Sequence, residues 1–217
     1  MGRRAGFIIA ACVVVLSLGL ALPAEAEWSV TTSGGTAWNA PLPLTIYQKG
    51  EAPIRVDRPQ WDTRPLYESP YYAIRVDNGR WGVELIHHKL YLDNPPPEVQ
   101  QFWISHGYNL ILVERLAARP PFTVVYGVGP VLAHPETIVR KRELSDPPHA
   151  GISLTGFYLS GISVHASALY RLPITSWLRL VAEGKVTAAW ARVPVADGYA
   201  DVPNVAVHGL LGLAFSW

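Results

Sequence analysis

From Pro203 to Trp217 the chain sets Val205, Val207, Leu211, Leu213, Phe215 and Trp217 at every second position, broken only by Gly209, with Asn204, Ala206, His208, Leu210, Gly212, Ala214 and Ser216 between them. A two-residue period belongs to a strand whose two faces meet different surroundings. One face here is apolar as far as the final tryptophan, and the other is mostly small or polar. An apolar face that ends on an aromatic is what the closing strand of a membrane β-barrel presents to lipid. No other stretch restricts the fold as much.

The one long unbroken apolar run lies at the other end of the 217-residue chain. Ala5 to Leu22 follows Arg3 and Arg4 and precedes Ala24-Glu-Ala26, the three-part pattern of a cleaved secretory signal. Residues 1–26 therefore read as a signal peptide and 27–217 as an exported outer-membrane domain beginning near Glu27. An uncut anchor fits the small-residue cleavage site less well. A lipoprotein is disfavoured because the apolar run continues past Cys12. The leader carries the single Cys and single Met, and also Arg3, Arg4 and Glu25 out of 18 basic and 17 acidic residues. What remains is formally neutral, has no thiol for disulfide or thiolate chemistry, and offers no basic footprint for nucleic acid. No later segment is apolar over the roughly 18 residues a membrane helix needs. A membrane protein built from this chain has to satisfy its backbone as a closed sheet.

Alternation predicts eight strands, near 27–38, 71–77, 81–92, 104–117, 122–134, 156–171, 177–193 and 203–217. The stretch between the first two, with Pro41, Pro43, Pro53, Pro59, Pro65 and Pro70, reads as a long loop holding a small hairpin around 44–56. Asp77-Asn-Gly-Arg80 signals a tight hairpin turn through its Asn-Gly pair. Connections two to three, four to five and six to seven are short; the others, including 194–203, are long. Short periplasmic turns and long outer loops alternate in this way in outer-membrane barrels. The expected fold is an all-β, eight-stranded antiparallel up-and-down transmembrane β-barrel with both termini periplasmic, in the outer membrane of a Gram-negative bacterium. A secreted β-sandwich competes with it but lacks the long-short alternation.

Side chains fill the interior of so narrow a barrel. Arg179, Glu183 and Lys185 share one face of strand seven, His165 lies on the matching face of strand six, and Arg75, Glu84 and His208 join them as an expected interior polar network. Charges buried together in this way are expected to pair. His87, His106, His134 and His208 fall towards the outer strand ends with Lys89, Tyr91, Asn109 and Glu136. Imidazoles and carboxylates so placed bind metals or move protons, although the spacing matches no specific metal motif. Glu84 and His87 are three apart and cannot share a face of a regular strand, so a bulge intervenes or one of them faces outward.

Trp81-Gly-Val-Glu-Leu-Ile-His87-His-Lys89-Leu-Tyr91-Leu-Asp93, Ser105-His106-Gly107-Tyr-Asn109-Leu, and Gly127-Val-Gly129 to His134-Pro135-Glu136 resemble the rhizobial-type outer-membrane lipid A oxidase family and related small outer-membrane β-barrels. Pro70-Tyr71-Tyr72-Ala-Ile-Arg75 and Glu183-Gly-Lys185 are similar to the same pattern, which covers most of 27–217. The family pattern differs at His88 and Tyr108, where it has a polar or small residue. The resemblance implies oxidation of the proximal glucosamine of lipid A to aminogluconate by molecular oxygen. It implies catalytic roles for His87, Lys89, His106 and Asn109, with His87 or His106 as the base. Tyr91, Lys89 and Arg140 would then hold the substrate, and His134 with Glu136 would hold a divalent metal. Neither a G-x-G-x-x-G after a strand nor a thiol is present, so no nucleotide cofactor or iron-sulfur cluster is expected. The implied partners are lipid A or lipopolysaccharide, outer-membrane lipid, and the barrel-assembly machinery acting through the closing strand.

Two other readings stand beside this one. His165-Ala-Ser167 has the His-x-Ser spacing of the outer-membrane lipid A deacylases, and residues two apart share a strand face, as a histidine-activated serine requires. A non-enzymatic structural or adhesion barrel, with the work done by its loops, is the third.

Overall fold

A computed structural model describes residues 27–144, 153–154 and 156–217. The expected signal peptide lies outside the described residues. Among them the chain forms sixteen strands in two sheets: β1 (Ser29–Asn39), β2 (Leu44–Gln48), β3 (Ile54–Val56), β4 (Trp61–Asp62), β5 (Tyr72–Asp77), β6 (Trp81–His87), β7 (Leu90–Leu92), β8 (Val99–Ile104), β9 (Tyr108–Arg119), β10 (Phe122–Ala133), β11 (Glu136–Val139), β12 (Arg142–Glu143), β13 (Ser153–Leu154), β14 (Phe157–Pro173), β15 (Leu178–Val195) and β16 (Gly198–Ser216). In the 11-stranded sheet β1, β5, β6, β9, β10, β14, β15 and β16 follow one another, and β1 pairs with β16, so these eight form a ring.

The expected eight-stranded up-and-down transmembrane β-barrel is corrected by this topology. The larger sheet continues beyond the ring, because the far part of β16 pairs with β2, β2 with β3, and β13 with β14. Five further strands, in the order β12-β11-β8-β7-β4, make a separate sheet. Two features of the sequence account for the difference. The prolines between 41 and 70 separate short strands instead of marking a structureless loop, and the hairpin expected around 44–56 is β2–β3. The supposed loop 194–203 is continuous ladder, in which Val195 pairs with Gly198 across a turn whose Asp197 takes a φ of 58°. The long-short alternation thus fails at its last connection. The hairpin at Asp77 forms, yet only Gly79 (φ 76°) has a positive φ there; Asn78 instead caps the turn by accepting from the backbone N–H of Arg80 and Trp81.

β15 shows why the molecule has two storeys. Val181, Glu183, Lys185 and Thr187 point inward and are buried, and so, further along, are Ala191, Val193 and Val195. On the opposite face Leu180, Val186 and Trp190 are exposed, followed by exposed Arg192. The pattern inverts near Thr187–Trp190: below it the strand is polar inside and apolar outside, above it apolar inside and polar outside. β16 does the same, with Asn204 and His208 inward in one half and Ala200 and Val202 in the other. The upper half encloses an apolar core in which Leu44, Ile46, Phe102, Ile104 and Val193 are fully buried, joining the second sheet to the extended hairpin.

The lower half encloses ions. Arg75 bridges Glu114 (2.7 Å) and Glu183 (2.8 Å) and also touches Glu84 (2.9 Å). Lys185 pairs with Glu84 and lies 3.4 Å from Glu183, and His165 Nε2 is 2.9 Å from Glu114. Every member is buried. Arg75 pairs with Glu84 across the β5–β6 ladder, so the two are cross-strand neighbours on one face.

Candidate metal centre

Three side chains meet where the second sheet leaves the ring. His106 lies in the turn between β8 and β9, and His134 and Glu136 lie at the passage from β10 to β11. His106 Nδ1 is 2.8 Å from Glu136 Oε1, His134 Nε2 is 3.9 Å from the same oxygen, and the two imidazole rings are 5.0 Å apart. One donor atom from each lies within 4.8 Å of the others, a grouping that can hold a metal ion. Two sequence features bring them together. Gly107 takes a φ of 121°, and a Cβ there would strike the Asn109 side chain at 2.2 Å, so the turn after His106 needs glycine. The backbone N–H of His134 donates to the carbonyl of Gly107 at 3.0 Å, which ties the two connectors to each other.

Of the residues expected to catalyse, His87 and Asn109 meet each other, with His87 Nδ1 2.8 Å from Asn109 Oδ1. His87 stacks on Tyr72 at 4.9 Å, and both belong to the outward-facing register of their strands, whereas Glu84 faces inward. The parity conflict is thus resolved without a bulge: β5 and β6 pair in unbroken register, and the turn bearing His106 shields His87, linked to it by Asn109 Nδ2 donating to the His106 carbonyl at 3.4 Å.

Lys89, Tyr91 and Arg140, the residues expected to hold substrate, each have partners within the fold. Lys89 is buried, and its ammonium donates to the carbonyls of Arg64 (2.7 Å) and Tyr67 (2.5 Å). Burial lowers its pKa, against the raising effect of Glu68 and Asp62. Tyr91 is fully buried beneath the Arg64 guanidinium, 4.5 Å from its ring centroid; burial first, then Glu68, pushes its phenol up to about 12. Arg140 braces another loop, donating to Gln48 Oε1 (2.9 Å) and the Ala52 carbonyl (2.8 Å).

The interior network also differs from expectation. Arg75, Glu84, His165, Glu183 and Lys185 converge, but Arg179 lies at the terminal mouth of the ring against Glu27 (2.7 Å) and Ser216. His208 belongs to a separate polar layer, with its ring nitrogens 2.5 Å from the Tyr71 hydroxyl and 2.8 Å from Thr187 Oγ1. His88 lies in that layer beside His208 (5.3 Å between centroids) and contacts Asn39 Oδ1 at 2.9 Å. Burial, and then His87, lowers the His88 pKa to about 3, so this imidazole stays neutral. His208 is therefore not in the group formed by His106 and His134. Glu114 was missed in the sequence because it interrupts the inward apolar series Leu110, Leu112 and Leu116 of β9; its only signal was a charge at an inward position. His165 and Ser167 both face into the ring, where His165 is engaged with Glu114, and they make no hydrogen bond to each other.

No family model and no curated protein matches the chain. Among solved structures it is similar to Neisserial surface protein A, with 9% identity over 89% of this chain and 98% of that one at a TM-score of 0.41. It is also similar to Ail, the attachment invasion locus protein of Yersinia pestis, with 10% identity over 89% and 99% at a TM-score of 0.37. These weak structural likenesses do not point to the lipid A oxidase family, and no residue role carries over from them.

Proposed function

We propose that this chain is an outer-membrane β-protein with a non-enzymatic, structural or adhesive role, its ring lying against outer-membrane lipid and its second sheet standing clear as a rigid head. The observation that carries this reading is the inversion along β15 and β16. Below it the exterior is predominantly apolar, broken on β1 by exposed Thr32 and Thr36, and Ile162, Val164, Val207 and Leu211 are each about 49% or more exposed; apolar surface this extensive marks a membrane or partner contact. Exposed Trp81, Trp177 and Trp217 fringe the terminal end, and Trp38 and Trp190 the other, in the manner of interfacial aromatic girdles. Val205 to Phe215, at about 3.3 Å per residue and a tilt of about 45°, make a band roughly 23 Å tall, close to the roughly 25 Å apolar band of outer-membrane proteins. The lipid partners are phospholipid and lipopolysaccharide, and the apolar face of β16 is the feature the assembly machinery would read.

The non-enzymatic role is favoured over lipid A oxidation because Lys89, Tyr91 and Arg140 are committed to holding the head together. Expression in a Gram-negative host with simple lipid A tests both parts. The protein is expected in the outer-membrane fraction, with the mass of lipid A unchanged in air. Recovery as a soluble protein overturns the membrane placement. An air-dependent gain of one oxygen atom overturns the non-enzymatic role in favour of oxidation, and loss of an acyl chain overturns it in favour of deacylation.

A further inference from the structure

We propose that His106, His134 and Glu136 form a zinc-class transition-metal site that clamps the second sheet to the ring. The donor set is two imidazoles and one carboxylate, which suits zinc and its neighbours and does not suit the all-oxygen preference of calcium or magnesium. Tetrahedral ligands bound at about 2.0–2.1 Å lie about 3.3 Å apart. The Glu136 oxygen lies 2.8 Å from one imidazole and 3.9 Å from the other, and the donor atoms all lie within 4.8 Å of one another, so side-chain rotations that move the donor atoms by at most about 1.5 Å bring all three to that spacing. The backbone is already fixed: the His134 N–H donates to Gly107, and Glu136 pairs with Trp103 in the β8–β11 ladder. The Phe157 ring packs edge-on against His134 at 4.8 Å, and Ser105 Oγ lies 3.0 Å from His106 Nδ1. A cavity of about 240 Å³, lined in part by His134, Glu136 and Tyr158, adjoins two of the three side chains.

The other grouping of potential ligands, Glu84, Glu114 and His165, is already neutralised by Arg75 and Lys185. The rim cluster has no lysine or arginine paired with Glu136 among the described residues. His106 comes from the connector entering β9 and the other two ligands from the connector leaving β10, so one ion would close both exits from the ring at once.

The test uses the full chain without a polyhistidine tag, in detergent micelles, stripped with chelator and titrated with Zn²⁺ alone, with Mg²⁺ as the comparison. One equivalent of zinc is expected to survive gel filtration and raise the unfolding temperature, while Mg²⁺ does neither. H106A is expected to lose zinc retention and to unfold, metal-free, at the temperature of the metal-free parent, because that imidazole is half exposed. H134A and E136Q are expected to weaken retention as well. Retention of less than one equivalent, or equal retention by H106A, overturns the site. Retention without a rise in unfolding temperature overturns the clamp. If H134A does not fold, H106A decides.

Discussion

At the scale of single residues, the ion cluster inside the ring is the most vulnerable point. Among the described residues Arg75 is the one guanidinium shared by Glu84, Glu114 and Glu183, so Arg75→Met leaves buried carboxylates short of a counter-charge. Breaking a buried pair from one side costs about 3–5 kcal/mol, which equilibrium urea unfolding will read. His88 gives a pH dependence of the opposite origin, since it is buried in its neutral form between Tyr71, Tyr108 and His208, with His87 next to it. Its folded pKa of about 3 lies below the ordinary value of 6.5, so below pH 6.5 the unfolded chain takes up a proton that the folded one refuses. The contribution is full above that pH and is lost as pH falls towards 3, by at most about 1.4 kcal/mol per pH unit. H88Q is expected to flatten the decline of unfolding temperature over this window, and an unchanged slope excludes His88 as its source. Neither residue's role was fully legible beforehand. Arg75 and Glu84 alternate correctly for an inward face, but partners such as Glu114 come from distant strands, and alternation says nothing of which charges meet. Lys89 and Tyr91 read as chemical because they are polar near a histidine pair; their partners, the carbonyls of Arg64 and Tyr67 and the Arg64 guanidinium, come from a connector whose position alternation does not convey.

At the scale of elements, β15 and β16 carry a change of environment within one continuous ladder. Two substitutions probe the two halves. Leu211→Arg puts a charge on the apolar exterior and is expected to cost about 2–4 kcal/mol in a bilayer if it lies near mid-depth, and much less in a system that lets detergent and water reach the site. Val193→Asp puts an unpaired charge into the apolar core of the upper half and is expected to destabilise the fold in bilayer and detergent alike. Equal responses of L211R in the two settings would remove the distinction between halves. β10 has a different local limit: its ladder with β9 lapses between Val128 and Val131, around Pro130, and a Cβ on Gly129 would lie 1.8 Å from the Ile111 carbonyl oxygen. Gly129→Val is therefore expected to force the strands apart, with poor recovery of folded protein as the readout. The ring strands were readable from their two-residue period because one face of most of them is largely apolar, with Thr32 and Thr36 of β1 and Arg115 of β9 as departures. The short strands β4, β7, β8, β11 and β12 were not, since each is at most six residues long and buried positions such as Leu90, Tyr91 and Leu92 run consecutively without alternation.

At the scale of the whole molecule, ring and head share one core, because Leu44 and Ile46 of the larger sheet and Phe102 and Ile104 of the smaller one belong to the same buried cluster. Hydrogen exchange at 99–104 is therefore expected to be as slow as at 181–187 and to proceed through global unfolding; exchange that is orders of magnitude faster would make the head an independent unit. What the sequence could not convey at this scale was where the excess chain goes, because proline-rich connectors and short strands look alike when their partners lie far away. The β15–β16 hairpin then has a mechanical consequence. Its strands pair continuously from Leu178–Phe215 to Val195–Gly198, rung after rung, through both storeys. A pull on the head along these strands draws the hairpin as one piece, so the load falls in shear on the ladders that flank it, β14–β15 and β1–β16, whose rungs act in parallel instead of peeling one at a time.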